Sequence, residues 1–195
     1  MNRLRIGVLA IQGDFEAHGR MLEGLGAEVA EVRVPAALEG LDGLVIPGGE
    51  STTISMGMER EGLDGAIRSF HAEALPILGS CAGMIVIDRD HLGLADYVCR
   101  RNAFGRQLQS FEEDLVVEGL GEEPLRAVFI RAPWVEEAGP EVEVLAEVRG
   151  HPVAVRQGGV LAVAFHAELT DDSRVHAAFM AMCTAVRDRA ERAPR

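Results

Sequence analysis

The residues best suited to catalysis are a cysteine flanked by glycines and a later histidine that precedes a glutamate by two positions. Cys81 lies in the run G-S-C-A-G at positions 79–83, directly after an apolar run at 75–78. G-x-C-x-G is the thiol version of the nucleophile elbow, where small flanking residues permit a sharp turn from strand to helix. The dipole of the following helix favours a thiolate, and the Ala82 amide lies where an oxyanion donor is needed. Cys81 is therefore predicted to be a nucleophile.

His166 and Glu168 supply the other two parts of a catalytic triad. They follow the alternating run at 160–165, and in an extended chain residues two positions apart point to the same side. Glu168 would orient the imidazole of His166, which accepts the thiol proton of Cys81 as a general base. The alternative is a buried structural cysteine and a core histidine, the commoner role of each residue type taken singly. The position of both motifs at strand ends favours catalysis.

Two further segments are candidates for holding a substrate. The loop P-G-G-E-S-T-T at 47–53 follows a buried strand, and its glycines let the backbone turn an N–H toward a ligand. This arrangement suits a second oxyanion donor, although a tight turn followed by a Ser/Thr helix cap explains the same residues. In N-A-F-G-R-Q at 102–107, Arg106 can clamp a carboxylate with two hydrogen bonds, and a solvated arginine is the alternative.

The first half of the chain reads as alternating strands and helices. The apolar run at 4–11 is typical of a buried parallel strand, and Asp14 is the predicted N-cap of a helix that stops at Gly26. Strands are predicted at 29–34 and 41–46, a helix at 63–70, and a strand and a helix on either side of Cys81. This rhythm predicts an α/β fold with three layers, in which helices cover both faces of a flavodoxin-like, mostly parallel sheet.

The second half is richer in short strands separated by turns. Six runs are predicted to extend the sheet with antiparallel pairs, at 97–100, 111–118, 126–130, 142–148, 153–156 and 160–165. Asp172 is predicted to cap the long final helix.

Composition fits one domain over residues 1–195. A net charge of −12 argues against nucleic acid or an anionic membrane as partner, because both favour a basic face. The three cysteines form no C-x-x-C pair and no leader-like segment begins the chain, which indicates a reducing, cytoplasmic location. Cys99 and Cys183 are interpreted as structural. No spacing typical of metal ligands occurs.

Five motifs extend the argument to a family. They are L-V-I-P-G-G-E-S-T-T at 44–53, G-S-C-A-G at 79–83, R-N-A-F-G-R-Q at 101–107, F-I-R-A-P at 129–133 and F-H-A-E-L-T at 165–170. Together they resemble the glutaminase subunits of pyridoxal 5'-phosphate synthase, which belong to the class I, triad-type glutamine amidotransferases. The two triad motifs mark only the superfamily, whereas the other three mark this subunit. The resemblance runs from I-G-V-L-A-I-Q-G at 6–13 to the last helix.

The resemblance implies a function and a set of site residues. The chain is expected to hydrolyse L-glutamine to L-glutamate and ammonia through a thioester, without metal or organic cofactor. A separate synthase subunit in a hetero-oligomeric complex is expected to use the ammonia to build pyridoxal 5'-phosphate. The implied residues are Cys81, His166 and Glu168 as the triad, Gly49 and Ala82 as the oxyanion hole, and Gly48, Gly49, Glu50, Arg106, Ile130 and Arg131 as the glutamine site.

Two other functions stay open on the residues alone. A glutaminase subunit of another ammonia-using synthase, such as imidazole glycerol phosphate synthase, would keep the triad, but the N-A-F-G-R-Q motif argues against it. A noncatalytic binding module on the same fold is disfavoured because every triad position is occupied. Ser80 stands where the family more usually has threonine, and Ala167 where proline is common.

Overall fold

The computed structural model describes residues 3–105 and 110–192, which form alternating strands and helices followed by a strand-rich half. In chain order the elements are β1 Arg5–Leu9, α1 Phe15–Gly24, β2 Glu28–Val32, a 3-10 turn Pro35–Leu38, β3 Gly43–Ile46, α2 Ser51–Glu61, α3 Leu63–Ala72, β4 Ile77–Ser80, α4 Ala82–Ile87, β5 Tyr97–Arg100, β6 Ser110–Leu115, β7 Leu125–Ile130, β8 Trp134–Ala138, β9 Glu143–Val148, β10 His151–Gln157, β11 Val160–Val163, a second 3-10 turn Ala167–Leu169 and α5 Arg174–Arg192.

The main sheet has seven strands in the order β2-β1-β3-β4-β11-β10-β9. The first five are parallel, whereas β10 pairs antiparallel with both of its neighbours. The start of this order, 2-1-3-4, is that of the flavodoxin-like class, with β11 in the fifth place. The predicted α/β fold with a mostly parallel sheet is confirmed.

Three strands that were predicted to extend the main sheet, β5, β6 and β7, lie outside it. β5 pairs with β8, and β6 pairs with β7, in two separate two-stranded sheets. Every residue of β11 is buried, which suits a strand covered on both faces, whereas β6 exposes alternate side chains. Such half-exposed strands lack the second apolar face that a central position requires. The strand β8 was not predicted.

Two residues predicted to cap helices accept backbone hydrogen bonds from the first turns of those helices. Asp14 caps α1 as predicted, since its Oδ1 accepts the N–H of Ala17 at 3.2 Å, and Gly26 follows the helix with a φ of +90°. Asp172 Oδ1 accepts the N–H of Arg174, the first residue of α5, at 3.0 Å. The helix α2 was not predicted as an element. No helix within 3–105 and 110–192 is both long and apolar enough to cross a bilayer.

Three parallel strands bring their carboxyl ends together at the centre of the sheet. In register, Ile46 of β3 is opposite Gly79 of β4, and Val163 of β11 is opposite Ser80. All residues of these three strands are buried, so their positions are fixed by packing on both faces. The loop after β3, the turn after β4 and the segment after β11 therefore meet at one edge.

Candidate active site

Cys81 occupies a strained turn between β4 and α4. Its φ of +49° and ψ of −106° lie outside the regions that a residue with a side chain normally adopts. Its N–H donates to Val163 O at 2.8 Å, which ties the turn to β11. A Cβ on Gly83 would lie 2.0 Å from Ile46 O, so only glycine allows α4 to approach β3 this closely. The structure thus contains the predicted strand–turn–helix geometry of a nucleophile elbow.

The carboxylate of Glu168 contacts the imidazole of His166, but not for the reason that the sequence suggested. Their Nδ1 and Oε1 atoms are 2.7 Å apart. The predicted strand at 160–165 ends at Val163, so strand alternation cannot pair these side chains. The 3-10 turn Ala167–Leu169 folds the carboxylate back toward the ring instead. The N–H of His166 donates to Val128 O at 2.8 Å, which anchors the segment to β7.

The electrostatics of this pair favour an ionised carboxylate beside a protonated ring. Burial opposes the charge on His166, but its interactions with Cys81 and Glu168 outweigh burial and raise its pKa to about 10. Burial likewise opposes the charge on Glu168, but its contacts with His166 and His18 hold the pKa of this carboxyl well below its usual range. Opposite charges in a low-dielectric site stabilise each other.

Glu168 has two further neighbours that the sequence reasoning missed. Ser80 Oγ lies 3.1 Å from both Glu168 Oε2 and Phe165 O, and its single proton can be donated to either acceptor. Nε2 of His18, which comes from α1, lies 3.2 Å from the same Oε2. Nothing local marks His18 as part of the site, because a single histidine on a helix face has no distinguishing pattern. Ser80 could have been identified as part of the site, because it directly precedes the nucleophile in G-S-C-A-G.

A cavity of about 260 Å³, large enough for an amino acid, opens in front of Cys81 and His166. Its lining residues are Gln12, Gly49, Glu50, Ser51, Cys81, Ala82, Ile85, Arg101, Asn102, Ile130, Arg131, Pro133 and His166. Gly48 lies against the imidazole, because a Cβ there would be 2.6 Å from His166 Cε1. Glu168 lies behind the ring, away from the cavity. Of the residues predicted for the site, Arg106 falls outside the described residues.

The loop after β3 is held by two side chains. Gly49 has a φ of +149°, and a Cβ there would lie 2.5 Å from Gln12 Oε1, the oxygen that accepts the N–H of Glu50 at 2.7 Å. Glu50 caps α2 by accepting the N–H groups of Thr52 and Thr53 at 3.2 and 2.8 Å. These bonds lower the pKa of Glu50 to about 2. The alternative of a Ser/Thr cap is wrong, because the cap is this glutamate.

Arg101 is an unpredicted arginine that the structure brings to the cavity, which the predicted Arg131 also lines. Its Nη2 lies 2.8 Å from Glu50 Oε1, and its Nη1 donates to Thr52 Oγ1 at 3.1 Å. The sequence reasoning selected Arg106 and missed Arg101, although Arg101 opens the same R-N-A-F-G-R-Q motif. Within the described ranges, no group of three or more His, Cys, Asp or Glu side chains is arranged to hold a metal ion.

Comparison with known proteins agrees with this geometry. The pattern of the SNO glutamine amidotransferase family matches residues 8–185. A pyridoxal 5'-phosphate synthase subunit PdxT from Frankia alni is 53% identical over 189 residues, which cover 92% of this chain and 95% of the relative. A crystal structure of a glutamine amidotransferase is 46% identical with a TM-score of 0.87, and the match covers 92% of this chain and 98% of that one.

A more distant structure supports the fold alone. A putative GMP synthase subunit from Thermoplasma acidophilum is 19% identical with a TM-score of 0.75, and the match covers 98% of this chain and 99% of that one. The resemblance predicted from the five motifs is confirmed by the closer matches. Because the family pattern spans most of the sequence, the chain belongs to the SNO glutamine amidotransferase family.

Proposed function

We propose that this chain is the glutaminase subunit of a pyridoxal 5'-phosphate synthase, a single domain that hydrolyses L-glutamine through a thioester on Cys81. The observation that carries the proposal is the 2.7 Å contact between His166 Nδ1 and Glu168 Oε1, behind a cavity that Cys81 and His166 line together. A nucleophile, a base and a group that orients the base are the three parts that acyl transfer at a thiol requires.

Glutamine is held in this proposal by its α-carboxylate and α-amine. The guanidinium of Arg101 can bind the carboxylate with two hydrogen bonds, and Glu50 beside it can pair with the ammonium. The resemblance to the glutaminase subunits implies that Arg106 also binds glutamine at this site. The backbone of Ile130 and Arg131, which line the cavity, would guide the side-chain amide toward Cys81.

The chemistry then follows from the roles of the three side chains. The protonated His166 holds the proton released by the thiol, and the thiolate of Cys81 attacks the amide carbon to give a tetrahedral oxyanion that the Gly49 and Ala82 amides stabilise. The C–N bond breaks as His166 donates its proton to the leaving ammonia, which leaves a thioester. Water that gives a proton to His166 attacks the thioester, the thiolate departs and glutamate is released. Glu168 stays ionised throughout and stabilises the imidazolium.

The first test removes the nucleophile. Cys81→Ser should lower the rate of glutamate release by about four orders of magnitude or more, because a serine hydroxyl lacks the thiol's acidity. The control is Cys183→Ala on α5, whose fully buried thiol has a pKa raised to about 12 by burial. The control should keep full activity and lose about 1 kcal/mol of unfolding free energy from core packing. Near wild-type glutamate release by Cys81→Ser would overturn the proposal.

The second test concerns the partner, which the names of the relatives support. Glutamate production by the isolated chain should be slow and should rise on addition of the synthase subunit, because the Gly48–Gly49 peptide can flip and leave the oxyanion hole unformed. By linkage, glutamine should tighten the complex in the Cys81→Ser background. Imidazole glycerol phosphate synthase subunits serve as the parallel control. Full activity of the chain alone, or a complex indifferent to glutamine, would contradict this coupling.

The proposal includes a reducing, cytoplasmic location. Cys81, Cys99 and Cys183 are all free thiols, and a thiol nucleophile must stay reduced to act.

A further inference from the structure

A row of buried polar groups continues behind Glu168, away from the cavity. His18 on α1 and His176 on α5 are both fully buried, and His18 Nδ1 lies 2.9 Å from His176 Nε2. The other ring nitrogen of His18 lies 3.2 Å from Glu168 Oε2, within ion-pair range although off the line of an ideal hydrogen bond. The four side chains therefore form a continuous row from His176 to His166.

With the rings of His18 and His176 both neutral, one arrangement of protons fits this row. Ionised Glu168 can only accept, so His166 must present Nδ1–H to Oε1 and His18 must present Nε2–H to Oε2. Nδ1 of His18 is then an acceptor, and it takes the Nε2–H of His176. The Nδ1 atom of His176, which has no partner among the described residues, is left as an acceptor. The opposite tautomer of His18 would aim a lone pair at a carboxylate.

Burying two histidines costs free energy unless their nitrogens find polar partners, because an imidazole in the core loses its hydration. Burial lowers the pKa of His176 to about 3, so this ring is neutral and has one N–H to give. Glu168 faces His166 on its own segment, His18 from α1 and the hydroxyl of Ser80 from β4. Of the two imidazoles on Glu168, only His18 lies outside the triad.

We propose that His18 and His176 are positioning residues, which orient Glu168 and keep it ionised so that Glu168 can in turn align His166. This proposal rests on the proposed glutaminase function. His176 fixes the tautomer of His18, and His18 then donates to the carboxylate oxygen that His166 leaves free. The second oxygen of Glu168 is thereby held at the same time as the first, which prevents the carboxylate from rotating.

A pair of matched substitutions at His18 tests the proposal. The amide nitrogen of Gln reaches the place of Nε2, so His18→Gln keeps the donor to Glu168, whereas Asn reaches only the place of Nδ1. We expect His18→Asn to lower kcat about tenfold to a hundredfold with KM nearly unchanged, because a hydrogen bond to a buried charge is lost. His18→Gln should recover most of kcat. Equal kcat values for the two folded variants would overturn the proposal.

His71→Asn on α3 is the control for loss of a histidine with an unpartnered buried nitrogen away from the site. It should keep the kcat of the wild type. If His18→Asn fails to fold, His176→Gln and His176→Asn replace the pair, since Gln retains the donor at the Nε2 position and Asn removes it. A lower kcat for His176→Asn supports the proposal, and identical kcat values contradict it.

Ring ¹⁵N chemical shifts provide a readout that needs no activity. In the folded wild type they should show a protonated Nε2 and an unprotonated Nδ1 on both His18 and His176. A protonated Nδ1 on His18 would overturn the proposed row whatever the kinetics show. A wild type that has the expected tautomers but stays inactive when the synthase subunit is added would instead refute the glutaminase function and leave the row standing.

Discussion

Two carboxylates of the site, one lining the cavity and one behind His166, are held ionised in opposite ways. Glu50 is exposed at the start of α2, where two helix amides and Arg101 stabilise its charge. Glu168 is buried, and rings and a hydroxyl surround it. An exposed ion pair contributes little and can open, whereas a buried charge that loses a partner costs about 3–5 kcal/mol. Glu50 is thus suited to exchange partners with a substrate, and Glu168 to hold one geometry.

The contrast explains how one site can combine adaptable binding with rigid chemistry. The Arg101–Glu50 pair, with both side chains nearly half exposed, can separate so that each binds one end of an amino acid. The Glu168–His166 pair has no such freedom, because Glu168 is also in contact with Ser80. Substitutions at Glu168 and Glu50 test whether the two carboxylates differ in this way.

Glu168→Gln should lower kcat about a thousandfold or more with KM nearly unchanged. The amide keeps the shape of the side chain but removes the charge that stabilises the imidazolium of His166. Steady-state kinetics with circular dichroism as a folding control would measure this. An unchanged kcat would show that Glu168 is only a structural carboxylate, and the contrast with Glu50 would fail.

Glu50→Ala should act mainly on KM, raising it about tenfold with a smaller fall in kcat. The substitution removes both the cap of α2 and the anion that positions Arg101. Glu50→Asp separates these two roles, because aspartate is a good N-cap but is too short to keep the contact with Arg101. We expect Glu50→Asp to keep thermal stability and still raise KM. A loss confined to kcat would contradict a binding role.

The pH dependence of stability should separate the two sides of the cavity. The pKa of His166 rises from 6.5 to about 10, so its contribution is complete below pH 6.5 and is lost as pH rises through 10. The pKa of Glu50 falls from 4.5 to about 2, so its contribution is present above pH 4.5 and is lost as pH falls through 2. Because Glu50 is exposed, salt should weaken only the acidic effect.

Urea unfolding of the wild type and of Cys81→Ser between pH 6 and pH 10 would measure the alkaline effect. Cys81 is one of the groups that raise the pKa of His166, so Cys81→Ser should lose less stability over this range. The control Cys183→Ala should follow the wild type below about pH 9, and above it should lose less stability, because burial raises the pKa of the Cys183 thiol to about 12 and unfolding would release its proton. Parallel curves for wild type and Cys81→Ser would show that the thiol and the imidazole do not interact.

Much of the fold and the triad could be predicted because the determining interactions are local. The elbow at Cys81 depends on neighbouring glycines, and the cap at Asp14 on a residue three positions away. Runs of apolar residues identified the parallel strands, since a strand covered on both faces is apolar throughout. The prediction of β6 as part of the main sheet was wrong because pairing partners are chosen over long distances in sequence.

The sequence by itself determined which side chains are available and where the backbone must turn. It placed a thiol at a strand end, an imidazole two residues before a carboxylate, and a paired glycine loop after β3. Tertiary structure decided which of these atoms meet. The Glu168 contact depends on a 3-10 turn, Arg101 reaches the cavity by pairing with Glu50, and His18 joins the row because α1 contacts that turn. Such contacts join residues far apart in the chain, so packing between elements sets them and no local pattern encodes them.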